Sequence, residues 1–209
     1  MKPEVISFDV DGTLARKDFI DEFYFEVVPK LYKEYHDMSF EAALEAVKEA
    51  YDGVGPNNIN WYKPSYWVER FGFEESAQEL IERAKHTQEI YEETEEVLKK
   101  LQNYRLIVIS NAPMEFVNVQ LEDTKDYFDE IYSCVSHFDK TKNDHMVYEI
   151  VYEEMDVVPK NVVHVGDEYK LDYKAAKKAG AKAFYLDRKG KKDGDHVING
   201  LTELLEILK

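Results

Sequence analysis

Two aspartates, Asp9 and Asp11, stand two residues apart in the stretch VISFDVDGTLA (Val5 to Ala15), followed at once by Gly12 and Thr13. Carboxylates held this close repel one another unless a positive charge sits between them, and a magnesium ion is the natural candidate. The plainer alternative is a turn at a strand end, because Asp supplies local backbone hydrogen bonds and Asp-Gly is a common turn pair. Three other segments tip the balance. GDEYKLD adds the carboxylates of Asp167 and Asp172. VISNAP adds Ser110, a small hydroxyl donor, with backbone N–H groups leading to Pro113 at a predicted helix start, an arrangement that suits an anionic oxygen. DKTKNDHMVYEI adds Lys142 at a predicted helix start, with Lys140 just before it. A lysine there can neutralise both an aspartate and a phosphoryl group. Any one of these residues alone would read as a cap or a solvent-facing side chain.

Their positions along the chain bring them together. Val5 to Asp9, RLIVIS up to Ser110, NVVHVGD up to Asp167 and AKAFYLD up to Asp187 each have the apolar density of a strand covered on both faces, and each ends in a polar residue. Helical signals lie between them: Pro113, the amphipathic run Asp144 to Met155, and YKAAKKAG closing at Gly180. Strands alternating with helices predict an α/β fold, a three-layer Rossmann-like parallel sheet. Ligands of such sheets bind beyond the carboxyl ends of the strands, where four acids on one rim call for a divalent cation.

Residues 16–93 break the alternation and read as consecutive helices: Ser39 caps FEAALEAVKEAY, DGVGPNN is a turn cluster, and FEESAQELIERAKH has apolar residues at helical spacing. Of the net charge of -16, the stretch 16–95 holds -10, from 9 Lys or Arg against 19 Asp or Glu. The expected organisation is a core of residues 1–15 and 94–209 interrupted by an all-helical cap of residues 16–93. An acidic chain lacks the cationic excess that nucleic acid or an anionic membrane requires. One cysteine, Cys134, excludes an internal disulfide, and the absence of a signal peptide or long apolar run predicts a cytoplasmic protein.

These segments together resemble the haloacid dehalogenase superfamily of aspartate-nucleophile phosphotransferases. DVDGTL is similar to its first motif, Ser110-Asn111 to its second, KNDHMVY to its third and GDEYKLDYKAAKKAG to its fourth, in order. Asn143 and His145 stand where the third motif commonly has prolines around Asp144. The resemblance implies that Asp9 is the nucleophile and forms an aspartyl-phosphate, that Asp11 is acid and then base, and that Ser110, Asn111 and Lys142 bind the phosphoryl group. It implies Mg2+ on Asp9, the backbone carbonyl of Asp11 and Asp167, with Asp172 a direct or outer partner. Caps at this position close over small molecules, so the implied substrate is a small phosphorylated metabolite.

The implied reaction is hydrolysis of a phosphate monoester. A phosphomutase of a sugar phosphate uses the same two aspartates and is the nearest alternative. A 2-haloacid dehalogenase has no use for an acid at Asp11, since a halide leaves without a proton, and a non-catalytic binding protein would have lost a motif residue. The aromatic run NWYKPSYWVERFG reads first as packing for the cap, and second as a pocket wall formed by Trp61, Tyr62 and Trp67, with Lys63 or Arg70 meeting an anion. His164 is expected as a hydrogen-bonded core residue and Cys134 as buried and inert.

Overall fold

Runs of β-branched residues favour extended chain, and here they form a sheet buried on both faces. The computed structural model describes residues 2–209. Six strands, β1 (Val5–Phe8), β2 (Arg105–Ser110), β3 (Glu130–Ser133), β4 (Val162–Gly166), β5 (Lys182–Leu186) and β6 (Val197–Ile198), lie in the order β3-β2-β1-β4-β5-β6. Every pairing is parallel. The two-residue β6 has no counterpart in the sequence reading, because Val197 and Ile198 are too few to show a period. Helices flank the sheet and make the expected three-layer Rossmann-like core.

Register sets which side chains share a face. Ser7 pairs with Ile107 on one side and with His164 on the other, so Val5, Ile107, Ile109 and Val162 line one face with them. Against that face pack Val147, Tyr148, Val151 and Tyr152 of the helix Met146–Glu154, and Ala175, Ala176 and Ala179 after β4. Phe8 points to the other face, where its ring meets Phe128 edge-on.

Chain contacts divide the molecule into two units. One runs up to Arg16 and resumes over Ile90–Lys209; the other is Lys17–Glu89. Within the first, the departing and returning chain are tied together: Tyr91 N–H and the Thr94 hydroxyl both donate to the Leu14 carbonyl, at 3.0 and 2.9 Å.

The insertion is all helical. It comprises Asp18–Glu22, a π-type stretch Phe23–Val27, Val28–His36, Phe40–Val54, Pro64–Phe71 and Ala77–Ala84, with short 3-10 turns at Ile59–Tyr62 and Lys85–Thr87. Ser39 caps its helix as the sequence predicts, accepting from Ala42 N–H. The helix it starts continues to Val54, so Asp52 and Gly53 are helical and the turn begins at Gly55. Ser76 and Glu79 form a reciprocal capping box for the helix Ala77–Ala84. Trp67 is wholly buried, stacked on Phe71 and edge-on to Tyr51, and its indole N–H donates to the Trp61 carbonyl. It is packing, as the first reading of that run expects. No described helix is long and apolar enough to cross a membrane.

Candidate active site

The sheet brings the predicted residues to one edge. Asp9 and Asp11 follow β1, Ser110 closes β2 with Asn111 just after it, and Asp167 follows β4. β1 and β4 are the strands between which the chain order reverses, the place where such sheets hold ligands. Asp9 N–H continues the ladder by donating to Val165 C=O at 2.9 Å. The chain then folds on itself: the N–H groups of Thr13, Leu14 and Ala15 all donate to the Val10 carbonyl, with Gly12 at φ 75°, a conformation that favours glycine. This tight loop fixes Asp11 beside Asp9.

Lys142 joins the aspartates. Its ammonium donates to Asp9 Oδ1 and to Asp172 Oδ1, each at 2.6 Å, and all three groups are almost completely buried. Burial opposes the lysine's charge, yet Asp172 and Asp9 outweigh it and hold the lysine's pKa well above its ordinary value. Burial likewise opposes ionisation of Asp172, but Lys142 and the His164 ring push its carboxyl well below the usual range. The helix that Lys142 was expected to start begins only at Met146, and Lys142 sits in the turn before it. Asn111 holds that turn, its side-chain oxygen accepting Lys142 N–H at 2.8 Å.

Asp172 is fixed from several sides. Glu168 N–H donates to its Oδ2 at 2.8 Å. A Cβ on Gly166 would lie 2.2 Å from its Cγ, so the glycine makes the room the carboxylate occupies. Behind it runs a buried chain in which Ser7 Oγ lies 2.5 Å from His164 Nδ1 and Tyr148 Oη lies 3.1 Å from His164 Nε2. Tyr148 donates its proton to the Leu171 carbonyl at 2.9 Å, which leaves Nε2 as the donor to Tyr148 and Nδ1 as the acceptor from Ser7. His164 is thus the hydrogen-bonded core residue expected of it.

Asp9, Asp167 and Asp172 each present a ligand oxygen within 4.8 Å of the others. The three donors are all carboxylate oxygens, two of them paired with the Lys142 ammonium, a set that suits a hard divalent cation such as Mg2+. Ser110 is buried at the same edge, and its Oγ accepts Ala112 N–H at 3.2 Å. Lys140 forms no part of the ion triad. Cys134 opens the helix Cys134–Phe138 and is buried, as expected, and burial pushes its thiol up to about 12, so it stays protonated.

Two residues at this edge escape the sequence reading. Gln120 ends the helix Met114–Gln120, wholly buried, and its amide donates to Asp11 Oδ1 at 2.7 Å. A polar residue among Phe116, Val117, Val119 and Leu121 is the signal that could have found it. Arg188, after β5, donates to the carbonyls of Gly12 and Thr13 at 3.2 and 2.7 Å, pairs with Glu93 at 2.6 Å and stacks 3.5 Å over the Tyr91 ring. It braces the loop that carries Asp11, and nothing in its local sequence marks it.

Comparison with known proteins bears on this arrangement. The family model described as haloacid dehalogenase-like hydrolase matches residues 3–180. A GMP/IMP nucleotidase, YrfG of Escherichia coli, is 28% identical over 125 residues, which are 58% of this chain and 54% of that enzyme. The chain therefore matches about half the length of that relative. The crystal structure of an HAD phosphatase from Thermococcus onnurineus superposes with a TM-score of 0.86 at 25% identity, covering 100% of this chain and 98% of that one. A 2-haloacid dehalogenase from Pseudomonas syringae pv. Tomato DC3000 shares the fold, with a TM-score of 0.69 at 23% identity over 99% and 98% of the two chains.

Proposed function

The chain belongs to the haloacid dehalogenase-like hydrolases, and we propose that it is a magnesium-dependent phosphatase that hydrolyses a small phosphorylated metabolite through phosphate carried on Asp9. The observation that carries this reading is a second carboxylate, Asp11, held at the same strand end as Asp9 by a tight loop and by Gln120. Displacing an alkoxide needs a proton donor, and displacing a halide does not. The likeness to a phosphatase and to a nucleotidase supports the same chemistry.

In this reading a carboxylate oxygen of Asp9 attacks phosphorus, the ester P–O bond breaks, and the leaving oxygen takes the proton of the Asp11 carboxyl. Asp11, now ionised, takes a proton from water as the water oxygen attacks the phospho-aspartate. The bond between phosphorus and Asp9 then breaks, inorganic phosphate leaves, and both carboxyls return to their starting states. Lys142 holds Asp9 in orientation and offsets charge, while Ser110, Asn111 and the N–H groups after β2 receive the phosphoryl oxygens. Asp9, the Asp11 carbonyl and Asp167 would hold Mg2+, with Asp172 beside them. Bound there, the ion supplies positive charge that lets two anions approach.

The helical insertion, lacking any of these groups, is assigned to substrate selection, and the protein to the cytoplasm. The test is a purified-protein screen with Mg2+ against sugar phosphates, phosphoglycolate, amino-acid phosphates, GMP, IMP and a haloacid control. Phosphate release from at least one ester, abolished by chelator, is expected. Calorimetry should show Asp167→Asn weakening Mg2+ binding. Halide release, or full phosphatase activity in chelator, overturns the reading.

A further inference from the structure

Gln120 has no counterpart in the four motifs, yet it touches a residue on which the proposed chemistry turns. Its side chain is wholly buried at the last position of the helix Met114–Gln120, the helix that follows Ser110 and Asn111. Taking a carboxamide out of water costs a few kcal/mol, roughly 1–3 in proteins, unless it is hydrogen-bonded. An apolar residue would fill the same position without that cost, as Phe116, Val117 and Val119 do along the same helix. The amide points at Asp11 Oδ1 and donates to it at 2.7 Å, across a separation of 109 residues. A hydrogen bond of this length to one carboxyl oxygen restrains the direction of the group as well as its distance.

From this geometry we infer that Gln120 is a positioning residue for Asp11, fixing the rotation of its carboxyl group so that proton transfer occurs in line with the ester oxygen. The inference rests on the phosphatase reading and adds a residue to it. A carboxyl group turns freely about its last bond when nothing holds it, whereas a general acid must lie within hydrogen-bond reach of the oxygen it protonates. The Gly12 to Ala15 loop fixes the backbone of Asp11, and Arg188 braces that loop through the Gly12 and Thr13 carbonyls. Those contacts act on the backbone of the loop. Gln120 acts on the carboxyl group itself, and it ties the acid to the helix that begins at the proposed phosphoryl-binding edge. One helix thereby sets the spacing between where phosphate is received and where the proton is delivered.

The test compares wild type, Gln120→Met and Gln120→Glu on an alkyl phosphate and on p-nitrophenyl phosphate, whose leaving group hardly needs a proton. Gln120→Met keeps the volume and removes the donor, while Gln120→Glu keeps the length and sets a carboxyl group against Asp11. For both variants kcat on the alkyl phosphate should fall roughly tenfold or more, a fraction of the whole effect of an acid–base group. KM and the Mg2+ dissociation constant should stay at the wild-type values. On p-nitrophenyl phosphate the first step should be spared, and intact mass after acid quenching should show more phosphorylated protein than in wild type. Equal losses on both esters, or none on either, would make Gln120 a packing residue and overturn the inference. Should Gln120→Met not fold, Gln120→Glu carries the same comparison. A wild-type protein that releases no phosphate from either ester sinks the phosphatase reading itself, an outcome separable from these.

Discussion

The two units of this protein handle polar side chains in opposite ways. Among the described residues, every buried polar or charged side chain outside the aromatics, from Ser7 and Asp9 to Asp172 and Asp187, belongs to the sheet unit. The insertion buries Phe19, Phe23, Val47, Trp67, Leu80 and Ile81 and leaves its charges outside. An apolar core asks only for volume and shape. A buried ion triad asks for defined partners at defined distances, and removing one leaves the others uncompensated. The difference teaches where substitution is tolerated: the insertion can change its interior while keeping its fold, and the strand ends cannot.

The largest break in that comparison should come from Lys142→Met. It leaves Asp9 and Asp172 buried together without their shared cation, and in chelator the variant should lose about 3–5 kcal/mol of stability by denaturant titration. Phosphate release should fall to background. Trp67→Ala should cost a similar or slightly smaller amount, about 3–5 kcal/mol, because it empties the centre of the insertion. Its effect should be confined there: both tryptophans, Trp61 and Trp67, lie in the insertion, so the fluorescence of Trp61 follows that unit alone. Mg2+ affinity measured by calorimetry should not change. A loss of Mg2+ binding in Trp67→Ala would show that the two units are not energetically separate.

A smaller and more selective effect is expected in acid. The Asp172 carboxyl lies below its ordinary value in the folded protein, since Lys142 and His164 outweigh the opposing effect of burial. A depressed carboxyl contributes stability that is fully present above its unfolded pKa of about 4 and is lost as pH falls from there through the folded value. In chelator, unfolding free energy should therefore decline below about pH 4, and Asp172→Asn should remove part of that slope. A wild-type slope retained in full by the variant would place the acid-sensitive group elsewhere.

The strands that carry Asp9, Ser110 and Asp167 were legible in the sequence because each is a short apolar run ending in a polar residue, a pattern that survives without tertiary context. Ser39 was legible as a cap for the same reason. Other features depend on partners far along the chain. Gln120 and Asp11 are 109 residues apart, and Arg188 lies 175 residues from Thr13, so no local window contains both ends of either contact. The role of Gly166 is a matter of space beside Asp172, which spacing alone does not reveal. The helix expected to start at Lys142 starts at Met146, after a turn that the Asp144 N–H to Thr141 carbonyl bond closes and that Asn111 holds through the Lys142 N–H. β6 gains its extended form from pairing with Tyr185 and Leu186 and has too few residues to announce itself.

The central claim is that Asp9 accepts a phosphoryl group and Asp11 moves the protons. It is tested most directly by incubating Asp11→Asn briefly with p-nitrophenyl phosphate and Mg2+, quenching in acid, and locating any adduct by intact mass and peptide fragmentation. The substitution keeps the shape of the side chain and the backbone carbonyl while removing the titrating group. The account predicts phosphate accumulating on Asp9, because an activated ester still loads the nucleophile while hydrolysis of the acyl phosphate lacks its base. Absence of any phosphorylated protein, together with turnover of alkyl phosphates by Asp11→Asn at the wild-type rate, would contradict it.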